Sequence, residues 1–433
     1  MAMATVGAKP KPHIILLSSP GLGHLIPILE LGKSLVRLCN FDVVIYVVET
    51  HTSPVETQVL QSAMSPKLCE IIQLPPVNIS GLIDPGATVV TQLAVMMREI
   101  RPAFRSAVFA LKFRPAAIIV DIFGTESLQV AKELGIPKYV YMASNAWFLA
   151  LTLHVPTLDK EVEGEFVHQK EPLKIPGCRS VRQEDVVDPM LDRTNQQYFE
   201  YVRMGVEIVK ADATQRVGGY VSFGSGGTLS AEQMMELAWG LELSQQRFIW
   251  VVRPPTTKTG DGAFFTQGDG EDDMSGYFPD GFLSRIQKLG QVVPQWSPQV
   301  QIMSRPSVGA FLSHCGWNSI LESITEGVPI IAWPLYAEQR LNATLLTEEL
   351  GIAVRPKNIP AKEVVKRGEI ERMIRRIMVD EEGREIRTRV RELKESAEKA
   401  VSEGGSSYNY MSVLGKELEK SWNGRVQRRT LTL

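Results

Sequence analysis

A chain of 433 residues, 44% apolar and 22% charged, exceeds what one hydrophobic core usually serves, so two globular domains are expected. A formal charge of −2 spreads no field that would gather nucleic acid or an anionic membrane, which excludes both as general partners. The cysteines Cys39, Cys69, Cys178 and Cys315 form no C-x-x-C pair, so neither a zinc site nor a disulfide framework is expected, and they fit a reduced intracellular protein.

The opening stretch MAMATVGAKPKP lacks the apolar run of a signal peptide. The run Ile14–Leu17 is far too short to cross a bilayer, so no membrane insertion is expected and the cytosol is the expected compartment. His13–Leu17 reads as a short buried strand. The glycine turn S-S-P-G-L-G-H follows, then a helix with Leu25, Ile28, Leu29, Leu31, Leu35 and Leu38 on its apolar face. Further strands are predicted at Val43–Val48, Ile71–Leu74, Ala116–Val120 and Tyr139–Met142, separated by helical stretches such as Glu126–Leu134. Strands alternating with helices indicate a parallel sheet covered on both faces.

The pattern then restarts, with a strand at Tyr220–Phe223, a turn at Gly224–Gly227 and a helix at Ala231–Leu243. Strands follow at Phe248–Val252, Gln291–Val293, Val308–Leu312 and Pro329–Trp333. The Gly-, Asp- and Thr-rich stretch Pro254–Gly276 reads as a surface loop, and residues 362–418 as charged helix. An α/β fold of two Rossmann-like domains facing each other across a cleft follows, with residues 1–212 as the first and 220–433 as the second. The junction is short. After the helical run Asn195–Asp212, only seven residues, Ala213–Gly219, precede the second domain's first strand. They extend at most ~25 Å, where a complete parallel domain would place another strand and a linker.

His24 follows the first glycine turn, at the carboxyl end of a strand, where open α/β sheets bind ligands. A neutral imidazole there can accept a proton; a surface histidine near a helix cap is the other reading. Gly21 and Gly23 are followed by Ile26 rather than by a third glycine, which argues against a dinucleotide fingerprint. Asp121 also ends a strand. It would either hold the Nδ1 proton of His24 and stabilise the imidazolium formed in reaction, or cap the helical segment beginning near Gly124. Such a pair would let a phenol or alcohol attack an electrophile as its oxygen loses a proton.

The segment Trp296–Gln339 places its polar residues where a strand meets a helix starting near Trp317. His314 and the amides of 316–319 would face a diphosphate at that helix end. Glu322 would accept from ribose hydroxyls, while Glu338 and Gln339 offer acceptors and a donor for sugar hydroxyls. Trp296 offers a face for base stacking. Taken singly, each of these residues also fits a core or capping role. The acidic run GDGEDDM at 268–274 reads as a solvated glycine-rich loop, and no metal is expected.

This 44-residue segment, with HCGWNS at 314–319, LES at 321–323 and AEQ at 337–339, resembles the signature box of the plant secondary-product glycosyltransferases, in the UDP-dependent glycosyltransferase family. The resemblance extends over nearly the whole chain. VDIFGTE (120–126), IPGC (175–178) and YVSFGSGGTLSAEQ (220–233) are most similar to the branch that includes hydroquinone glucosyltransferase (arbutin synthase) and monolignol glucosyltransferases. The resemblance implies the facing two-domain fold called GT-B, a UDP-glucose donor and a small phenolic acceptor bound mainly by the first domain. It implies His24 as base and Asp121 as its relay partner. Trp296 would stack on uracil beside Gln299, and Glu322 would hold the ribose. Ser225, His314, Asn318 and Ser319 would contact the diphosphate, and Trp317, Glu338 and Gln339 the sugar. The glutamine closing the box is associated with glucose rather than galactose. Ser144, in M-A-S-N (142–145), stands where relatives carry hydroxyl residues that touch the sugar, and Phe123, Trp147 and Phe148 are candidates for the acceptor pocket. The chain departs from the family between Asp212 and Gly219. There relatives carry several tens of residues, including the first domain's last strand, so an inactive UDP-sugar-binding or partly folded variant is the competing expectation.

Overall fold

The computed structural model describes residues 11–48, 69–176, 180–211, 213–215, 227–255, 274–294, 297–357 and 364–430. Among them the amino-terminal half builds one six-stranded sheet, ordered β3-β2-β1-β4-β5-β6 and parallel throughout. Its strands are β1 (His13–Ser18), β2 (Asp42–Val48), β3 (Glu70–Leu74), β4 (Ala117–Asp121), β5 (Lys138–Tyr141) and β6 (Ala213–Gln215). Strand β1 is buried along almost its whole length, as a parallel strand covered on both faces must be.

The two faces separate by the alternation of side chains along a strand. Ile15, Leu17, Val44, Tyr46, Ile118 and Val120 belong to one apolar cluster. Ile14, Leu16, Val43, Ile45, Ala117 and Ile119 belong to the other. The helix Leu22–Cys39 lies on the second face through Leu25, Ile28, Leu29, Leu31 and Leu35; Leu38, expected on that apolar face, is instead exposed. The long carboxyl-terminal helix Ser406–Thr430 returns to this same face through Met411, Leu414 and Leu418. It ties the end of the chain to its beginning.

The expectation that the first half has lost its last strand is corrected. Ala213–Gln215 pairs in parallel with Tyr139–Tyr141 and completes the sheet. A ladder is made of main-chain groups, so the short sequence A-T-Q serves although it carries no apolar pattern.

In the carboxyl-terminal half β7 (Phe248–Val252) pairs with β8 (Gly290–Pro294), and β9 (Phe311–Ser313), β10 (Ile330–Ala332) and β11 (Ala353–Val354) form a second parallel set ordered β11-β10-β9. The predicted strand Tyr220–Phe223 and its glycine turn lie outside the described residues, as does most of the predicted loop 254–276. The helix Ala231–Ser244 packs so closely on the helix Arg367–Met378 that a Cβ on Gly240 would stand 2.5 Å from that of Ile370. The predicted charged tail resolves into three helices, Arg367–Met378, Glu381–Val401 and Ser406–Thr430. No helix among the described residues is long and apolar enough to cross a membrane, and Cys39, Cys69 and Cys315 are free thiols.

Candidate functional site

The turn after β1 enters its helix through Gly21, whose φ of +98° a side chain would strain. That geometry sets His24 in the helix's first turn. Its Nδ1 lies 3.2 Å from Oδ2 of Asp121, which ends the neighbouring strand β4. His24 is partly open to solvent, whereas Asp121 is buried. The two oxygens of Asp121 make separate contacts. Oδ1 accepts the Gly124 N–H at 3.1 Å and caps the turn Ile122–Ser127. Oδ2 faces His24 and also accepts the Ser19 N–H at 3.1 Å and the Ser19 hydroxyl. Ser19 escaped sequence reasoning, since a serine before a glycine turn has many simpler uses. The Phe123 ring stands edge-on to that of His24, with centroids 5.3 Å apart. Trp147 and Phe148 start the helix Ala146–Glu161, capped by Asn145, and are half-buried against the first core cluster; Phe148 stacks on Tyr201.

The same first helix carries Pro27 in its second turn. Proline has no N–H to give the carbonyl four residues back, here that of Gly23. The Asn318 amide of the other half donates to that carbonyl at 3.4 Å. A residue that breaks the helical ladder therefore opens an acceptor for a contact between the halves.

Opposite this edge, β9 leads through His314 and Cys315 into the helix Trp317–Glu326, capped by Gly316 with no side-chain cap bond. Cys315 takes φ +64°. A Cβ on Gly316 would stand 2.5 Å from the His314 ring nitrogen Nε2, so glycine is needed for the close approach. His314 is buried, and burial first, with the Arg253 charge second, pushes its pKa down to about 3. It is therefore a neutral imidazole at the amino end of a helix. Ser319 and Glu322 are buried on the same helix. Gln299 begins the helix Gln299–Met303 and is buried too, its Nε2 without a hydrogen-bond partner among the described residues. Ser225 and Trp296 lie outside the described residues.

After β10, Glu338 and Gln339 sit at the start of the helix Gln339–Thr344. Oε1 of Gln339 accepts the N–H groups of Leu335 at 2.8 Å and Tyr336 at 3.0 Å. Both lone pairs of that oxygen are thus committed to folding the loop, and the amide NH₂ is what remains to offer a ligand. Sequence reasoning had credited Gln339 with accepting as well. Glu338 is half-buried, and loss of solvation raises its carboxyl pKa, opposed by its own backbone, by Ser144, by the nearby His24 and by Asn342. Ser144 donates to Glu338 Oε1 at 3.2 Å. Asn145 donates to Asn342, which in turn donates to the Cys315 carbonyl at 2.9 Å. Asn145 and Asn342 were not foreseen either, because an asparagine outside a motif carries no signal of a partner some two hundred residues away.

The structure thus joins the halves beside His24: Asn318 reaches the Gly23 carbonyl, Ser144 reaches Glu338, and Glu338 lies close enough to His24 to feel its charge. His314, Gly316, Ser319 and Glu322 share the turn and helix of Asn318, and Gln339 follows Glu338. A proton acceptor faces a helix amino-terminus and a carboxylate–amide pair. That arrangement can deprotonate a hydroxyl on one side and receive an anionic leaving group on the other. Among the described residues no group of His, Cys, Asp and Glu is arranged to hold a metal.

A family profile for UDP-glucoronosyl and UDP-glucosyl transferase matches residues 207–365. Anthocyanidin 3-O-glucosyltransferase 5 of Manihot esculenta is 69% identical over 486 aligned positions, covering 99% of this chain and 100% of that protein. With 486 positions against 433 residues, at least 53 residues of that relative have no counterpart here. The crystal structure of TcCGT1 in complex with UDP superposes with a TM-score of 0.88 at 42% identity, covering 95% of this chain and all of that one. Phytolacca americana UGT2, complexed with UDP-2fluoro-glucose and pterostilbene, gives 0.84 at 34% identity, covering 94% and 100%.

Proposed function

Because the chain belongs to the family of UDP-dependent glycosyltransferases, a family of hexose-transferring enzymes with the GT-B fold, we propose that it is an inverting glucosyltransferase. It moves glucose from UDP-glucose to the oxygen of a small phenolic acceptor of hydroquinone, monolignol or flavonoid type. The observation that carries this reading is the His24–Asp121 pair, 3.2 Å apart, beside the Gly23 carbonyl that Asn318 of the 314–319 turn reaches. The relatives named for an anthocyanidin substrate and bound to pterostilbene support the acceptor class.

In this mechanism Asp121 holds the proton on Nδ1, leaving Nε2 of His24 as the base. It takes the acceptor's hydroxyl proton as the oxygen attacks the anomeric carbon, and UDP leaves from the opposite face. Asp121 then stabilises the imidazolium. Charge growing on the diphosphate is met by the amides at the start of the helix Trp317–Glu326, by the neutral His314 as an N–H donor, and by Asn318, Ser319 and Ser225. Trp296 and Gln299 hold uracil, and Glu322 the ribose. Trp317, Glu338 and the Gln339 amide hold the sugar, with Ser144 orienting Glu338. Phe123, beside the base, lines the acceptor side with Trp147 and Phe148. No step calls for a metal, and the whole reaction fits a cytosolic protein.

A second reading, UDP-sugar binding without turnover, is favoured by the residues missing relative to the Manihot esculenta protein. One assay separates the two. The purified chain is given UDP-glucose with hydroquinone or coniferyl alcohol, beside a His24→Ala control, and UDP release is followed. Acceptor-dependent release that vanishes in the control is the expected result. Binding of UDP without any release sinks the proposed transfer and leaves the second reading.

A further inference from the structure

The segment Arg182–Leu191 of the first half carries a carboxylate that takes no part in the mechanism above yet reaches the opposite wall of the cleft. Asp188 begins the short turn Asp188–Leu191. Its Oδ2 accepts the N–H of Ala337 at 2.7 Å, and its own N–H donates to the Ala337 carbonyl at 3.3 Å. Its Oδ1 accepts from the guanidinium of Arg340. Arg340 is buried and donates twice to the Val186 carbonyl, at 3.2 Å each. Ala337 and Arg340 flank Glu338 and Gln339 on either side. Ala337 has φ +57°, a left-handed conformation that costs energy for any residue with a Cβ and persists only where the surroundings impose it. The Gln339 side chain closes the loop from within, on Leu335 and Tyr336, but does not touch Ala337 in any of those bonds. The clamp on Ala337 comes from Asp188.

We infer that Asp188 is a positioning residue for the sugar end of the donor site: by holding the N–H of Ala337 and the guanidinium of Arg340 at once, it fixes the backbone on which Glu338 and Gln339 are presented. The inference rests on the proposed sugar role of those two residues and adds to it a dependence on the acceptor half of the molecule. An unclamped Ala337 relaxes out of the left-handed region, and the next two side chains swing with it. Among the residues assigned to uracil, ribose and diphosphate, Gln299, Asn318, Ser319 and Glu322 sit on other elements, the helices Gln299–Met303 and Trp317–Glu326, which Asp188 does not touch in any of the bonds above.

The test compares UDP with UDP-glucose. Dissociation constants for both are measured by calorimetry on the full chain, for wild type, Asp188→Ala, Asp188→Asn and Gln339→Ala. Asp188→Ala is expected to weaken UDP-glucose roughly tenfold, the effect of losing one charge-assisted hydrogen bond, while leaving UDP within about twofold. Asp188→Asn keeps an oxygen for the Ala337 N–H and is expected to recover most of the loss. Equal weakening of UDP and UDP-glucose, or no change in either, overturns the inference. Should the alanine variant not fold, the asparagine variant decides, since the loss of the carboxylate charge beside Arg340 still predicts a smaller loss confined to UDP-glucose. Gln339→Ala must show the same selective loss; if it does not, the sugar role of Gln339 falls, and this inference with it.

Discussion

Replacing Asp121 by asparagine separates its two duties, because they use different oxygens. The asparagine Oδ1 can keep the 3.1 Å bond from the Gly124 N–H, so the cap survives. Its NH₂ then occupies the place of Oδ2, facing the Ser19 N–H and His24 Nδ1. Two donors now meet the Ser19 amide, and the loss of that charge-assisted bond costs about 2 kcal/mol. For a domain of this size that is a fall in Tm of about 4–8 °C. Toward His24, an NH₂ group favours the tautomer with the proton on Nε2, which leaves nothing to accept the acceptor's proton. Reversing a histidine tautomer in this way costs on the order of 10⁴ in kcat for a catalytic triad, and a loss of about 10³–10⁴ is expected here. UDP affinity should hold within about twofold, since the proposed mechanism gives neither residue a part in holding UDP. Stopped UDP release, calorimetric UDP binding and a thermal melt supply the three readouts. A variant that melts several degrees lower yet keeps kcat within tenfold of wild type would refute the relay and leave Asp121 as a cap.

Other outcomes follow from the same geometry. His314 has a folded-state pKa near 3, against 6.5 for the free side chain. Its folded value is depressed, so the unfolded chain takes up the proton first, and stability is lost as pH falls from about 6.5 towards 3. At pH 5 the loss from this group is about 2 kcal/mol. His314→Gln should therefore flatten the fall of Tm between pH 7 and pH 5, and an unchanged slope would contradict the assignment. Gly240→Ala drives a Cβ to within 2.5 Å of Ile370 and should cost about 1–3 kcal/mol by overpacking, read as a lower denaturant midpoint. Pro27→Ala restores an N–H that competes with Asn318 for the Gly23 carbonyl. Thermal stability should rise while UDP affinity falls about threefold, and a rise in both would disprove the role given to that contact.

The strands were legible because parallel strands buried on both faces read as uninterrupted apolar runs, as in Ile14–Leu17 and Ala117–Val120, and every predicted strand among the described residues lies within two or three residues of an observed one. Strands β6 and β11 were not legible: Ala213–Gln215 and Ala353–Val354 are too short for a side-chain pattern to announce their pairing. His24 and Asp121 could be read from their places at the ends of strands, and the 314–339 residues from their motif. Ser19, Asp188, Asn145 and Asn342 could not, since each acts on a residue far away in sequence and only the fold reveals the partner. Gln339 shows a third case. Its residue type was noticed, but two of its hydrogen-bonding positions belong to the loop's own architecture.

The placement of the two halves bears on the residues missing relative to the Manihot esculenta protein. Asn318 reaches Gly23, Ser144 reaches Glu338, Asn145 reaches Asn342, and Asp188 reaches Ala337 and Arg340. Arg355 and Arg182 add a charged cluster with Asp185 and Glu348, again across the halves. Below these polar contacts the helix Ser406–Thr430 crosses back and buries Met411, Leu414 and Leu418 against the first helix. None of these groups belongs to the stretch 212–226. A connector chiefly limits how far two domains can part, and its length enters the free energy only logarithmically. Buried contacts at the cleft, by contrast, fix their orientation directly. The geometry around His24 is therefore held by contacts between described residues on either half, and not by the stretch that joins them.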